Sequence, residues 1–459
     1  MTRTRIPGGL TPALVLLTAL LQGPVRAEDP APAEPVPAPE PALAALVEAL
    51  PEGERPLVVE VLDRNPDLAR LAAAAEAAGQ RAPQSGSLPD PALSVTGYAL
   101  PPETRVGPQR FAIGLSQRFP WSGKRSLREQ QALEGAAAAR AELDARRLVL
   151  VTEVRRILYE LAYLDAQEGA IREDRATLVH FEELARARYA SGFGLQQAPI
   201  KLQAEITKDD NRLLELEGRR IGLLAQLNAL RDRPAGTPVE APPLPGELPD
   251  LGLDLATLRG IALETRPELR RARALVEASR AGSEIAELEY RPDFTLGLGY
   301  TLVDRRQDVA GRLNPPEGNG DDVLGLTLGV SLPIWRSRLE AGVGEAAARE
   351  AAAEQELRVA ATAVDQALAD LVERLPLLRR QIGLFESLLA PQAEEALRSV
   401  EDAYSAGSAG ALDLVDAERV LLDVRIGTAR ARADYWISLA RLEGAVGAPL
   451  DASLRGGAR

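Results

Sequence analysis

Four short runs of the chain alternate apolar residues with small or polar ones. Phe294, Leu296, Leu298, Tyr300 and Leu302 share one parity, against Thr295, Gly297, Gly299 and Thr301. Leu324, Leu326, Leu328, Val330 and Leu332 repeat this against Gly325, Thr327, Gly329 and Ser331. Upstream, Phe111, Ile113, Leu115 and Phe119 oppose Ala112, Gly114, Ser116 and Arg118, and Leu93 and Val95 oppose Ser94, Thr96 and Tyr98. Side chains of a strand point alternately to its two faces, so a period of two predicts strands, about 91–99, 110–119, 293–303 and 322–332. Such strands suit a soluble sandwich covered by helices, or a lipid-facing barrel whose small residues meet water.

Elsewhere the period lengthens. Leu150, Val154, Ile157, Leu161, Leu164, Ile171 and Leu178 step by threes, fours and sevens. Leu357, Val364, Leu368, Leu371, Leu375, Leu378, Ile382, Phe385 and Leu389 do the same. This is the seam of a coiled coil and predicts long helices over about 122–190 and 336–405. At ~1.5 Å per residue the first is a rod of roughly 100 Å. Each rod reverses at a glycine, Gly192 or Gly407, into a shorter helix, about 196–232 and 411–445. Pro376 and Pro391 predict a bend in the second rod. Neither short partner covers its rod alone. The helix of 196–232 and another over 267–290 are therefore expected end to end beside the first. Rods of this length do not fold back over a small soluble sandwich.

The two patterns recur as a pair. Pro66 matches Pro267, Pro89 matches Pro292, Pro120 matches Pro333, Gly192 matches Gly407 and Leu227 matches Leu442. The offset rises along the chain and never reverses, which marks a tandem duplication. The repeats span 57–232 and 254–448, joined by a proline-rich linker at 233–253. A Pro/Ala-rich and N-terminal segment (28–56) precedes them, with "EDPAPAEPVPAPEP" expected to be extended and flexible, and a tail (449–459) follows. The sharpest echo is "LSQRFPWSGKR" with "LGVSLPIWRSR". Pro120 and Pro333 are expected to end strands and turn the chain into the rods. Trp121 and Trp335 suit a boundary between lipid and water, with Lys124, Arg125, Arg336 and Arg338 following on the wet side.

Composition narrows the setting. Residues 1–27 carry Arg3 and Arg5, an apolar centre from Leu10 to Leu21 and a Val25-x-Ala27 ending, the form of a secretory signal peptide. With 54 basic against 67 acidic residues the net charge is −13, unsuited to nucleic acid. There is no cysteine, hence no disulfide and no lipid-anchor thiol. One histidine, His180, and one methionine offer no transition-metal site and no nucleophilic triad. No enzyme and no cofactor are expected. The acidic "EGNGDD" (Glu317 to Asp322) reads as an exposed turn rather than a calcium loop. No later stretch is apolar for the eighteen residues a spanning helix needs, so any membrane span is made of strands. Four strands do not close a barrel, and an open edge in lipid is excluded. Two copies give eight strands; three give twelve with a lumen, which the small inner residues favour.

The duplication, the paired strands in each half, the long hairpins and the turns "YASG" and "YSAG" together resemble the TolC-like outer-membrane efflux protein family over about 57–448. "QRFPWSGKR" is similar to its heavy-metal (cobalt–zinc–cadmium type) branch. The resemblance implies a mainly α fold with a membrane β-barrel. It implies a homotrimer with a twelve-stranded β-barrel in outer-membrane lipid, continued by a twelve-helix α-barrel across the periplasm. It implies a passive exit duct of a tripartite (RND-type) efflux system, with a periplasmic adaptor and an inner-membrane pump as partners and heavy-metal cations or drugs as cargo. The family's aperture carboxylates fall on Asp413 and Asp416, and the basic and acidic positions that tie its hairpins fall on Ala409 and Ala198. The alternative is a soluble periplasmic coiled-coil scaffold or pump adaptor.

Overall fold

The computed structural model describes residues 41–249, 251–252 and 254–450. The expected signal peptide, the Pro/Ala stretch up to residue 40 and the tail from 451 lie outside the described residues. The first repeat is led by helices α1 (Pro41–Glu48), α2 (Arg55–Arg64), α3 (Pro66–Gly79) and α4 (Arg81–Gly86). Strands β1 (Ala92–Gly97), β2 (Glu103–Thr104) and β3 (Gly107–Phe119) follow, then the hairpin of α5 (Lys124–Ala190) and α6 (Gln197–Leu230). The second repeat runs α7 (Leu255–Thr265), α8 (Pro267–Leu288), β4 (Phe294–Val303), α9 (Val309–Leu313) and β5 (Val323–Val330). It ends in α10 (Arg336–Leu384), a π-helical turn (Phe385–Leu389), α11 (Ala390–Ser405) and α12 (Ala411–Val446).

The seams are buried as their spacing requires. Leu143, Leu150, Val154, Ile157 and Leu161 of α5 pack against Val58, Val61 and Leu68 of the leading helices and Leu227 of α6. Val364, Leu368, Leu371, Leu375 and Ile382 of α10 pack against Leu258 of α7 and Leu439 and Leu442 of α12. Each such side chain contributes about 1.5–3 kcal/mol of burial. Helices α6 and α8 both lie along α5, and α8 also packs on α10. Local signals set the ends: Asn65 accepts from the N–H groups of Asp67 and Leu68 to cap α3, and Asp254 caps α7 through Thr257. The N-terminal segment is pinned by a buried network. Arg155 Nε donates to Glu54 at 2.9 Å, the Tyr159 hydroxyl donates to the same carboxylate at 2.7 Å, and Arg155 also pairs with Glu443.

The second rod departs from expectation at its prolines. Pro376 lies inside α10 without ending it, and the irregularity falls between the two prolines, at the π turn Phe385–Leu389. There the Ala390 N–H reaches back to Phe385 O. This wider register lets Pro391, which has no N–H, follow without breaking the rod. The turn sets Phe385 against Gly427 of α12, where a Cβ would lie only 2.9 Å from the ring.

The strands form one antiparallel sheet in the order β1-β3-β4-β5, with the two-residue β2 paired to β3. Register aligns like with like. Leu93, Leu115, Leu298 and Leu326 form one row, and Ser94, Gly114, Gly299 and Gly325 another on the opposite face.

Candidate functional site

The sheet is the first unusual surface. Its apolar face is uncovered: Leu296, Leu298, Leu326 and Leu328 are all about half exposed or more, and Leu326 reaches 88%. No helix packs on it to more than a marginal extent among the described residues. An apolar patch of this size on a folded chain marks contact with lipid or another protein. Each outer strand, β1 and β5, also has one edge unpaired among the described residues. No helix among the described residues is long and apolar enough to cross a membrane.

Both sequence-predicted joints sit where a strand meets a rod, but they are built differently. At the first, Asp293, just before β4, gathers the end of β3 and the start of α5. Its carboxylate accepts from Trp121 N–H at 3.0 Å, Lys124 Nζ at 3.0 Å and Arg118 at 2.7 Å. Its backbone exchanges hydrogen bonds with Ser331 beyond β5. Burial alone would raise the Asp293 carboxyl, but the Trp121 N–H and the two cations outweigh it and hold it down at about 2. Trp121 stacks on Phe294 with centroids 5.9 Å apart. Lys124 corrects the sequence expectation. It is not on the wet side of a boundary but buried, with 2% exposure, because a lysine at a helix N-terminus opposes the helix dipole and needs an anion beside it. At the second joint Trp335 is 69% exposed, and Ser337 stands where Lys124 stands in the first. Asp293 was missed by sequence reasoning, although "PD" opens the first strand of each half, at Asp90 and Asp293, and was the available signal.

The opposite end holds the hairpin turns. Gly192 and Gly407 have φ of +82° and +83°, a left-handed conformation that a side chain would strain. The two hairpins meet through Arg188, which lies 4.6 Å over the Tyr404 ring and donates to its carbonyl oxygen. Ala198 and Ala409 pack into one apolar cluster with Leu202, Leu397 and Leu414. Contact between the tips is thus apolar and cation–π where the resemblance places an ion pair. Arg188 was not singled out in the sequence, because a basic residue in an Arg-rich helix carries no pattern.

Asp413 and Asp416 lie in the first turns of α12, both exposed, three residues apart and so on one face. Asp413 also accepts from the Gly410 N–H at 2.7 Å and caps the helix. At the far side of the sheet, Asp322 accepts from the Val303 N–H at 3.0 Å and from the Tyr300 hydroxyl. The acidic "EGNGDD" thus closes a turn between β4 and β5. His180 is exposed on α5.

The fold is shared with solved outer-membrane proteins. The outer membrane protein VceC of Vibrio cholerae is 23% identical, with a TM-score of 0.72 covering 88% of this chain and all of that one. A membrane protein of Pseudomonas aeruginosa is 19% identical, with a TM-score of 0.74 over 91% of this chain and 96% of the other. The MtrE outer membrane channel of Neisseria gonorrhoeae, solved in its open state, is 22% identical, with a TM-score of 0.65 over 87% and 90%. No curated protein matches. The sequence profile of one family, described as outer membrane efflux protein, matches twice, over residues 57–231 and 258–448, one match for each repeat. Together the matches take in most of the chain, which therefore belongs to the outer membrane efflux protein family.

Proposed function

We propose that this chain is one third of an outer-membrane exit duct serving a tripartite efflux system. Three copies join β5 of one to β1 of the next, giving a twelve-stranded barrel with leucines toward lipid and the Ser/Gly rows toward a lumen. The hairpins continue it as a periplasmic α-barrel that meets an adaptor and an inner-membrane pump. The uncovered leucine face, bounded by two free strand edges, carries this reading. Lipid tolerates neither an open edge nor a polar face, and the face here is apolar on one side only. A soluble scaffold or adaptor would leave the same face against water.

Asp413 and Asp416 are proposed as the narrow cation-favouring ring of the periplasmic end. Threefold symmetry would set six carboxylates there. The joint residues Pro120, Trp121, Pro333 and Trp335 mark the passage from barrel to rods. As cargo we propose heavy-metal cations or drugs, the metal reading resting on "QRFPWSGKR". Membrane fractionation with chemical crosslinking tests the duct: a trimer in the outer-membrane fraction is expected, and a soluble periplasmic monomer overturns it.

A further inference from the structure

Well inside the helical region, three carboxylates from three helices face one another: Asp174 of α5, Asp209 of α6 and Glu418 of α12. All three are more than nine-tenths buried. Asp174 Oδ1, Asp209 Oδ2 and Glu418 Oε2 have no hydrogen-bond partner. Leu178, Val415 and Leu422 close the surroundings, and the gap left at Asp174 and Asp209 is about 10 Å³, room for one water at most.

Of the neighbouring cations Arg212 alone pairs with the group, and the others are engaged elsewhere. On α6, Arg212 donates to Asp209 Oδ1 at 2.9 Å, and Lys208 pairs with Glu205, as does Arg419 of α12. On α5, Arg175 pairs with Asp210 and Glu173 with Arg425 of α12. Arg425 favours the Glu418 anion from a distance and Glu401 of α11 opposes it. Among the described residues no ion pair reaches Asp174 or Glu418 themselves. With one cation, Arg212, beside three adjacent buried carboxylates, full ionisation is strongly unfavourable, and a shared proton is the smallest remedy. No group of three or more such side chains among the described residues is arranged to hold a metal ion.

We propose that Asp174, Asp209 and Glu418 form a proton-operated clasp. Protonated, Asp174 donates its O–H to an adjoining carboxylate and ties α5, α6 and α12 together. Without that proton, like charges push the three helices apart. Burial, then the Asp209 and Glu418 carboxylates, push the Asp174 carboxyl up to about 9, and burial raises Glu418 as well. The folded chain then holds an extra proton between the free carboxyl's pKa, about 4, and about 9. Stability is full below that window and declines through it, by up to tenfold in the folding constant per pH unit. Glu418 lies two residues beyond Asp416, so loosening would spread to the proposed gate. That last consequence rests on the duct reading; the clasp does not.

The test uses the full-length protein in detergent, comparing wild type with Asp174→Asn, a neutral side chain of the same shape. Infrared difference spectra at pH 7 should show a protonated-carboxyl C=O band that Asp174→Asn lacks. Unfolding from pH 5 to 9 should show a declining folding constant in wild type and a clearly shallower decline in the variant, where the buried Glu418 remains. If Asp174→Asn does not fold, Glu418→Gln serves, and should at least halve the slope. The proposal is overturned if the band and slope persist in the variant. Calcium restoring wild-type but not variant stability at pH 8 overturns it too, in favour of a cation site. Bilayer conductance rising with pH in wild type alone supports the link to the gate. A pH-linked stability with constant conductance upholds the clasp and overturns only that link.

Discussion

Replacing Asp293 with asparagine tests the first joint directly. The change keeps the side-chain shape but removes the charge that three donors share. Two estimates bound the cost. The carboxyl is held at about 2 against an ordinary 3.8; at ~1.4 kcal/mol per unit this is about 2–3 kcal/mol near neutral pH. Removing one partner of a buried ion pair costs about 3–5 kcal/mol. Lys124 keeps Glu289 at 3.5 Å, which favours the lower end, so the expected loss is about 2–4 kcal/mol. Denaturant unfolding of detergent-solubilised protein, followed by tryptophan fluorescence, reads it. Because the folded pKa is depressed, the stabilisation is present above about 4 and is lost as pH falls through 2. The gap between wild type and variant should therefore close over that acid window. Lys124→Met should rescue part of the loss, giving a coupling of more than about 1 kcal/mol in a double-mutant cycle. A loss below about 0.5 kcal/mol, the usual range for an incidental surface change, or a gap that persists at pH 2, would refute the joint.

Arg188→Ala removes the cation–π contact and carbonyl bond between the tips and should cost about 1–2 kcal/mol locally. Faster amide exchange around Tyr404 and a higher bilayer leak are expected, and unchanged exchange would deny it this role. Asp413→Asn with Asp416→Asn should lower cation preference in bilayer conductance, while the amide oxygen introduced at the first position still accepts the Gly410 N–H and caps the helix; unaltered ion selectivity would return both residues to a local role at the helix start. Gly427→Leu forces a side chain into the Phe385 ring and should destabilise by about 1–3 kcal/mol. Pairing it with Phe385→Ala should recover part of that, and no recovery would place the strain elsewhere.

Periodicity carried most of the architecture. The alternation over 294–302 coincides with β4, Phe294–Val303, and the leucine steps from 150 to 178 fall inside α5. Such patterns are legible because a period of two or of three and a half is written into every residue of an element. The turns were legible too, since only glycine sits comfortably at the +82° and +83° of Gly192 and Gly407. What escaped depends on residues far apart in sequence. Asp293 reaches Lys124 across 169 positions and Arg188 reaches Tyr404 across 216, and neither pairing leaves a periodic trace. The π turn escaped for another reason. Pro376 and Pro391 advertise a bend, but the π turn falls between them, where Phe385 packs against Gly427 of another helix.

The duplication sharpens the meaning of the two joints. Similar punctuation, a proline with a tryptophan one or two residues on, marks the passage from strand to rod in both repeats, yet among the described residues only the first is closed by a carboxylate. It is closed by Asp293, which belongs to the second repeat, so neither repeat completes its own strand-to-helix passage. The backbone of Asp293 also fastens Ser331 at the end of β5, so one residue holds the ends of three strands together. The second joint has no such carboxylate partner among the described residues: Ser337 replaces the lysine, Arg336 lies over the Tyr290 ring, and Trp335 is open. In the first joint, the side left open here is filled by β4 and the carboxylate that precedes it. By the symmetry of the repeats, the corresponding place at the second joint is the start of a strand, and the described residues have no further strand to supply. In the proposed trimer β1 of the next copy takes that position, and Asp90, the partner of Asp293 in the duplication, arrives with it.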